Sequence, residues 1–416
     1  MKRLLVAAML VLTGCGTGPA AGQSAHDYRL FVERMGSTGI AVVTTSAAAP
    51  ISLPGGFLTA DGSQLFSSGG QVFGGPAGAA GVTVMNVFDT RSGANVRQLR
   101  LAGAWSWDGG GTSPDGRWVV LTGSPGFLVV DTTSGRQYPA SVNGHFSFDA
   151  LSNDGQQLYL IETLADSSYH VRLYKVFSHT LQLGSVLIKG PEVEAMNGYK
   201  ITAVGDPQGQ MLYSLYGRHD GRPPFVHALD LQNAVAFCID LPAVPLKGTN
   251  YYLDAAASGW ALSLDASRHS LYASSSRGQV VAIDTQSYSV ARSASLTAPA
   301  ATSLLPSFFV NAAAKEFDGP AAASAVDPSG RWLYVAWESG YLTVDTATLR
   351  PTALRDRGDY LRSLAVSPDG RHLFAVSGPD LFPTLVSDLD PQTGTQKSTI
   401  RGLSAPWRIL RLEPAL

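Results

Sequence analysis

The chain has 416 residues, of which 45% are hydrophobic and only 15% are charged, and its formal net charge is −2. This length and apolar content are sufficient for a large buried core. The near-neutral charge excludes the strongly basic surface with which proteins bind nucleic acid or anionic lipid headgroups. The composition therefore indicates an exported globular protein without a nucleic-acid partner.

The N-terminus has the features of an export signal. Lys2 and Arg3 precede the apolar run 4–12, which is too short to span a bilayer and is typical of a signal peptide. The sequence Leu-Thr-Gly-Cys at 12–15 resembles the bacterial lipobox, which predicts removal of residues 1–14 and lipidation of Cys15. Acyl chains on Cys15 would anchor the protein to the membrane through a flexible tether at 15–26. The alternative is that Cys15 is a chance residue in an ordinary signal peptide.

A turn of the Asp-Gly type recurs along the chain between short strands of alternating polarity. It occurs at 61–62, 115–116, 154–155, 208–209, 329–330 and 369–370, with Gln or Ser in place of Asp in two of them. Glycine suits such a turn because it accepts a positive φ angle, and aspartate bonds nearby backbone amides. In the second unit, four strands are predicted at 109–113, 118–122, 127–130 and 137–142. A fixed unit of this size predicts a repeat architecture.

Seven complete units are predicted, at 57–101, 109–142, 146–188, 199–241, 260–296, 322–354 and 360–403. The N-terminal segments 28–33, 39–45 and 50–53 lack a first strand, and 407–413 supplies one, so the two ends of the chain would pair in a composite unit. The sequence therefore predicts an all-β fold, a β-propeller of eight four-stranded antiparallel blades, in one monomeric domain at 27–416. Seven blades is the alternative, if the N-terminal strands extend a neighbouring blade.

The best-preserved repeats, Asp-Pro-Ser-Gly-Arg-Trp-Leu-Tyr-Val at 327–335 and Ser-Pro-Asp-Gly-Arg-His-Leu-Phe at 367–374, resemble the YVTN and TolB-like propeller repeats of bacteria. The resemblance covers nearly all of the mature chain and implies the propeller fold. It leaves the activity open, because related propellers include lactonases, quinone-cofactor dehydrogenases, sialidases and scaffolds. The lipobox, the excess of Arg over Lys and the abundant Ala and Gly resemble exported lipoproteins of high-GC bacteria such as actinobacteria.

Long loops are predicted on only one face of the disc, at 69–81, 189–198, 217–224, 243–258 and 298–320. Recognition is usually located on such loops of a rigid scaffold. The residues proposed to bind a ligand are Tyr251, Tyr252, Phe308, Lys315 and Arg218. The alternative is that the aromatic side chains pack the loops against the blades and that Arg218 belongs to a solvated hairpin.

Three acids in the same loops, Asp254, Glu316 and Asp318, are candidates for a general base. Glu192 and Glu194 are spaced as side chains on a solvated strand edge are. The eight histidines do not show the spacing of metal ligands. The sequence therefore predicts neither a metal nor a cofactor. Cys238 lies in an apolar strand without a His or Lys beside it in sequence, which predicts a buried thiol that fills core space.

These features favour a non-enzymatic protein, lipid-anchored outside the cytoplasm, that binds a protein or a cell-envelope polymer through its long-loop face. A hydrolase or lactonase with acidic residues at the channel mouth is the alternative.

Overall fold

In the computed structural model, eight four-stranded antiparallel sheets form a ring, so the predicted eight-bladed β-propeller is confirmed and the seven-bladed alternative is wrong. The structure describes residues 27–34, 39–46, 49–72, 81–124, 126–166, 168–186, 195–218, 222–243, 260–275, 278–297, 323–337, 339–378 and 385–415. Within these ranges, no helix is long and apolar enough to cross a membrane.

The composite blade and blades 1 to 3 contain the strands β1 (Tyr28–Arg34), β2 (Gly39–Thr44), β3 (Ile51–Pro54), β4 (Phe57–Leu58), β5 (Gln64–Val72), β6 (Val82–Asp89), β7 (Asn95–Ala102), β8 (Ser106–Thr112), β9 (Trp118–Gly123), β10 (Gly126–Asp131), β11 (Gln137–Ala140), β12 (Phe146–Leu151), β13 (Gln157–Thr163), β14 (Tyr169–Lys175) and β15 (Thr180–Leu181).

Blades 4 to 7 and the end of the chain contain β16 (Tyr199–Gly205), β17 (Met211–Gly217), β18 (Phe225–Asp230), β19 (Val235–Asp240), β20 (Trp260–Asp265), β21 (Ser270–Ser275), β22 (Gln279–Asp284), β23 (Ser289–Ser295), β24 (Ser324–Val326), β25 (Trp332–Trp337), β26 (Gly340–Asp345), β27 (Arg350–Asp356), β28 (Tyr360–Val366), β29 (Leu373–Gly378), β30 (Leu385–Leu389), β31 (Gln396–Ile400) and β32 (Pro406–Pro414).

The ring is closed by the composite blade, whose strand order is β3-β2-β1-β32. The N-terminal strand pairs with the C-terminal one from Tyr28↔Pro414 to Arg34↔Pro406. An ion pair of 3.1 Å joins Arg29 Nη1 to Glu413 Oε1 across the two strands, with both side chains largely buried. Each end of the chain thus covers a strand edge that would otherwise be open.

The repeated turn is held by the residues that mark it in the sequence. In blade 2, Ser113 Oγ donates to Asp115 Oδ1 at 2.5 Å and accepts from the backbone N–H of Trp118 at 3.0 Å. Gly116 has a φ of 74°, and a Cβ atom there would lie 2.7 Å from the backbone nitrogen of Ala60. Glycine is therefore required both for the turn conformation and for the approach of the neighbouring blade.

The hydrophobic core lies between blades rather than at the centre of the disc. Between blades 2 and 3, for example, Trp118, Val129, Leu158 and Tyr174 belong to one buried cluster. The first strands of neighbouring blades contact one another around the axis. Each blade is therefore buried on both faces, which explains the apolar runs of its middle strands.

Candidate functional site

The two faces of the disc follow from the strand order. The turns between first and second strands and between third and fourth strands form one face, called the turn face below; the opposite one is the long-loop face. The chain enters the disc on the turn face, because Tyr28 begins a second strand opposite the end of the first strand at Pro414. The backbone N–H of Ala415 donates to the carbonyl of Asp27 at 2.7 Å, which holds both chain ends there.

A cavity of about 580 Å³ opens on the turn face. It is lined by turns of blades 1 to 4, which contribute Asp61, Asp115, Asn153 and Gln208 among other residues. The lining is polar, and Asn153 Oδ1 accepts from the backbone N–H of Asp115 at 2.9 Å, linking two of the turns. The cavity is thus built from the repeat itself rather than from inserted loops.

The carboxylates of this cavity are engaged in holding its turns. Asp61 Oδ1 accepts from Thr59 Oγ1 at 2.6 Å and from the Ser63 backbone N–H at 3.0 Å. Burial alone would raise the pKa of Asp61, but these hydrogen bonds outweigh it and lower the pKa below its usual value. A carboxylate so stabilised in its ionised form is a poor proton acceptor at neutral pH.

A second concentration of polar groups is buried at the junction of blades 3 and 4. Lys200 Nζ on β16 lies 3.1 Å from Asp149 Oδ1 on β12, and the Asp149 side chain is only 1% exposed. The cross-strand register places Ser214, His227 and Cys238 in one row on β17, β18 and β19. Cys238 Sγ lies 3.9 Å from His227 Nδ1 and 3.5 Å from Met196 Sδ. Sulfur and imidazole groups therefore converge between the two blades.

His227 is fully buried. Burial lowers the pKa of its imidazole to about 4; nearby Asp149 opposes this shift and Lys200 adds to it. The ring is therefore neutral at pH 7. Its Nε2 atom, the Ser214 hydroxyl and Asp149 Oδ2 have no hydrogen-bond partner among the described residues.

An aromatic column connects this row with the long-loop face. The ring of Tyr216 stacks on those of Tyr169 and Phe225, with centroids 5.6 Å and 5.2 Å away. Burial is the main cause that raises the pKa of Tyr169 and that of Tyr216, so both phenols stay protonated at neutral pH. The guanidinium carbon of Arg218 lies 4.6 Å from the Phe225 ring centroid, at the end of the column.

Of the predicted ligand-binding residues, Arg218 lies in the described part of the chain. Its guanidinium donates to Asp240 Oδ1 at 2.5 Å and to the Pro223 carbonyl at 3.0 Å, and the residue is 8% exposed. These contacts hold the base of the long-loop face; ligand binding by Arg218 stays a prediction. The other candidates lie outside the described residues: Cys15, Tyr251, Tyr252, Asp254, Phe308, Lys315, Glu316 and Asp318.

Two details of the sequence interpretation are corrected. The stretch predicted as a loop from residue 69 begins as strand, because β5 continues to Val72. Cys238 is only partly buried, and a histidine does lie beside it, since His227 is its direct partner across two antiparallel strands. Sequence neighbours alone do not reveal such a pair; the register is needed.

The sequence does not single out His227. It stands three residues before the aspartate that ends the third strand of its blade, where blades 2, 5 and 6 have Leu128, Val281 and Leu342 but blade 1 has Asn86. The repeat therefore accepts a polar residue at this position. Among the described residues, no group of three or more His, Cys, Asp or Glu side chains is placed to hold a metal ion.

No protein-family model and no curated protein matches the sequence. The structure is similar to that of AztD from Citrobacter koseri, with a TM-score of 0.51 and 12% identity over 92% of this chain and 97% of that one. It is also similar to dipeptidyl peptidase 4 of Porphyromonas gingivalis, with a TM-score of 0.50 and 11% identity over 90% of this chain and 59% of the other. At such low identity, these likenesses establish the β-propeller fold alone.

Proposed function

We propose that the protein is a lipid-anchored, non-enzymatic binding protein that presents its long-loop face to a protein or a polymer of the cell envelope. The observation that supports this best is the position of Asp27 on the turn face. A tether from Cys15 to Asp27 would hold that face towards the membrane. The long-loop face, on the opposite side, would then point outward.

The length of the tether supports this orientation. A flexible segment of about 12 residues has a root-mean-square length of roughly 20 Å. A seven-residue strand such as β1 rises about 23 Å, so the disc is about as thick as the tether is long. The tether would therefore favour an outward long-loop face over an inverted disc.

The described polar groups favour binding over catalysis. The turn-face carboxylates hold turns, and the buried phenols of blades 3 and 4 stay protonated. The acids considered for hydrolysis, Asp254, Glu316 and Asp318, lie outside the described residues. The alternative of a hydrolase or lactonase therefore stays a prediction.

The test compares two exposed serines that flank β11. Ser141 follows the strand on the long-loop face, and Ser134 precedes it on the turn face. Each is replaced in the full chain by a photo-crosslinking amino acid, and cells are irradiated. We expect a discrete envelope adduct from position 141 and a much weaker one from the matched control at position 134.

The orientation is tested separately with Ser141→Cys and Ser134→Cys on a Cys238→Ala background. In intact membranes, a bulky maleimide should modify position 141 faster than position 134, and the two rates should converge in detergent. Equal rates in membranes would refute the outward orientation. Adducts that are absent, or equal from both positions, would refute binding through the long-loop face.

A further inference from the structure

Three soft or borderline metal ligands converge at the junction of blades 3 and 4. The Cys238 thiol lies 3.5 Å from the Met196 thioether sulfur and 3.9 Å from His227 Nδ1. Met196 is 5% exposed and His227 is fully buried. The Cys238 sulfur thus lies within 4 Å of both other ligand atoms. Met196 and His227 are shielded from bulk water, and Cys238 is partly exposed.

The backbone fixes all three residues independently of any ligand. His227 and Cys238 are direct partners in the β18–β19 pair, which places their Cβ atoms on the same face of the blade, about 5 Å apart. Met196 comes from the connection between the blades and is held by two backbone hydrogen bonds of 2.8 Å to Tyr169 of β14. The site is therefore preorganised and joins one blade to the next.

The hydrogen bonds of His227 do not explain its burial. Its Nε2 atom has no hydrogen-bond partner among the described residues, and the contact of Nδ1 with the Cys238 sulfur is long at 3.9 Å. A buried polar ring with such poor hydrogen bonding costs folding free energy and requires a reason. A neutral imidazole whose Nδ1 faces the Cys238 sulfur is a competent metal ligand.

The distances suit one metal ion. With metal–sulfur bonds near 2.3 Å and a metal–nitrogen bond near 2.0 Å, a trigonal site would separate the two sulfurs by about 4.0 Å and sulfur from nitrogen by about 3.7 Å. The observed distances of 3.5 and 3.9 Å require only small side-chain movements. Thiolate and thioether ligands select Cu(I) over the harder divalent ions.

We propose that Met196, His227 and Cys238 form a binding site for a soft monovalent metal ion, Cu(I). On binding, the Cys238 thiol loses its proton to solvent and the thiolate bonds to the metal, while Met196 and His227 bind as neutral ligands. No electron is transferred in this step. Since Cys238 lies on the outermost strand and is partly exposed, the ion would enter from the rim of the disc.

The test uses the full chain in detergent under anaerobic conditions, with Cu(I) delivered from a chromophoric chelator that competes for it. We expect one Cu(I) per chain, and X-ray absorption of the loaded protein should show two sulfur neighbours and one nitrogen. Cys238→Ser should abolish binding. Met196→Leu, which preserves side-chain volume, should weaken binding by about tenfold or more.

Two variants serve as matched controls. Met211→Leu changes a methionine of blade 4 outside the group, and Cys15→Ala removes the only other cysteine; both should bind Cu(I) like the wild type. Circular dichroism shows whether each variant folds. If Cys238→Ser does not fold, the Cu(I) affinity of the conservative variant Met196→Leu tests the proposal. The proposal is overturned if the wild type does not compete for Cu(I), if Met196→Leu binds as tightly, or if the absorption spectrum lacks sulfur neighbours.

Discussion

Asp131 ends β10, and its replacement by asparagine should cost stability in a pH-dependent way. Its side chain is only 6% exposed, and it accepts hydrogen bonds from Arg117 Nη2 and the Thr133 backbone N–H, both at 3.0 Å. Burial alone would raise the pKa of Asp131, but the hydrogen bonds from Arg117, Thr133 and Ser134 outweigh it and lower the pKa from 3.8 to about 2. Asp131→Asn keeps the shape of the side chain and removes the charge.

The magnitude follows from the difference between the two pKa values. The difference between 3.8 and about 2 corresponds to roughly 2.4 kcal/mol of unfolding free energy at pH 7. Because the Arg117 side chain is 52% exposed, solvent screens part of this, and a loss of about 1 to 2 kcal/mol is expected. The folded-state pKa is depressed, so this contribution is complete above the unfolded value of 3.8 and is lost as the pH falls towards 2. At pH 3 about half of it should remain.

Urea unfolding of the wild type and Asp131→Asn, at pH 7 and again at pH 3, measures this contribution directly. The difference between the two proteins should shrink at the lower pH. Arg117→Met is the control, since it removes the ion pair but keeps the backbone hydrogen bonds of the turn, and it should cost less at pH 7. An equal loss for Asp131→Asn at both pH values would show that the charge is not the source of stability.

Two further substitutions test the closure of the ring and the repeated turn. Arg29→Met should lower the unfolding free energy by about 1 to 2 kcal/mol, because it removes the 3.1 Å ion pair with Glu413 and the 2.8 Å hydrogen bond to Thr90 Oγ1. Glu413 keeps its 2.6 Å ion pair with Arg411, which limits the loss. An unchanged unfolding free energy in urea would contradict this. Gly116→Ala should lower the unfolding free energy by more than about 1 kcal/mol. The φ angle at this position is 74°, and the new Cβ atom would lie 2.8 Å from Thr59 Cα. An unchanged midpoint of urea unfolding would refute the requirement for glycine.

The blades could be predicted from the sequence because their determinants are local. A serine, an aspartate and a glycine within four residues define the turn at 113–116, and strands of alternating polarity flank it. The composite blade was predicted almost to the residue, since β1 and β32 run over Tyr28–Arg34 and Pro406–Pro414. Outer strands were less predictable: β15 contains only Thr180 and Leu181, although the predicted unit extends to residue 188. An outer strand is buried on fewer sides, so its sequence is less constrained.

The blade 3–blade 4 junction could not be predicted in the same way. Met196, His227 and Cys238 lie up to 42 residues apart, and they meet only through the cross-strand register and the docking of one blade on the next. A lone histidine or cysteine in an apolar strand is ordinarily a core residue. What distinguishes this group is the combination of position, burial and poor hydrogen bonding, which requires coordinates.

In the intact repeat, the aspartate side chains are engaged in holding the fold. Asp61 and Asp115 hold turns, and Asp131 is paired with Arg117. Groups used in this way have little capacity left for a ligand. The two proposals accordingly place binding elsewhere, at the long loops of one face and at the junction that contains His227. Each proposal can fail without the other, because the proposed metal site lies between blades 3 and 4 near the rim and the proposed partner site lies on the long-loop face.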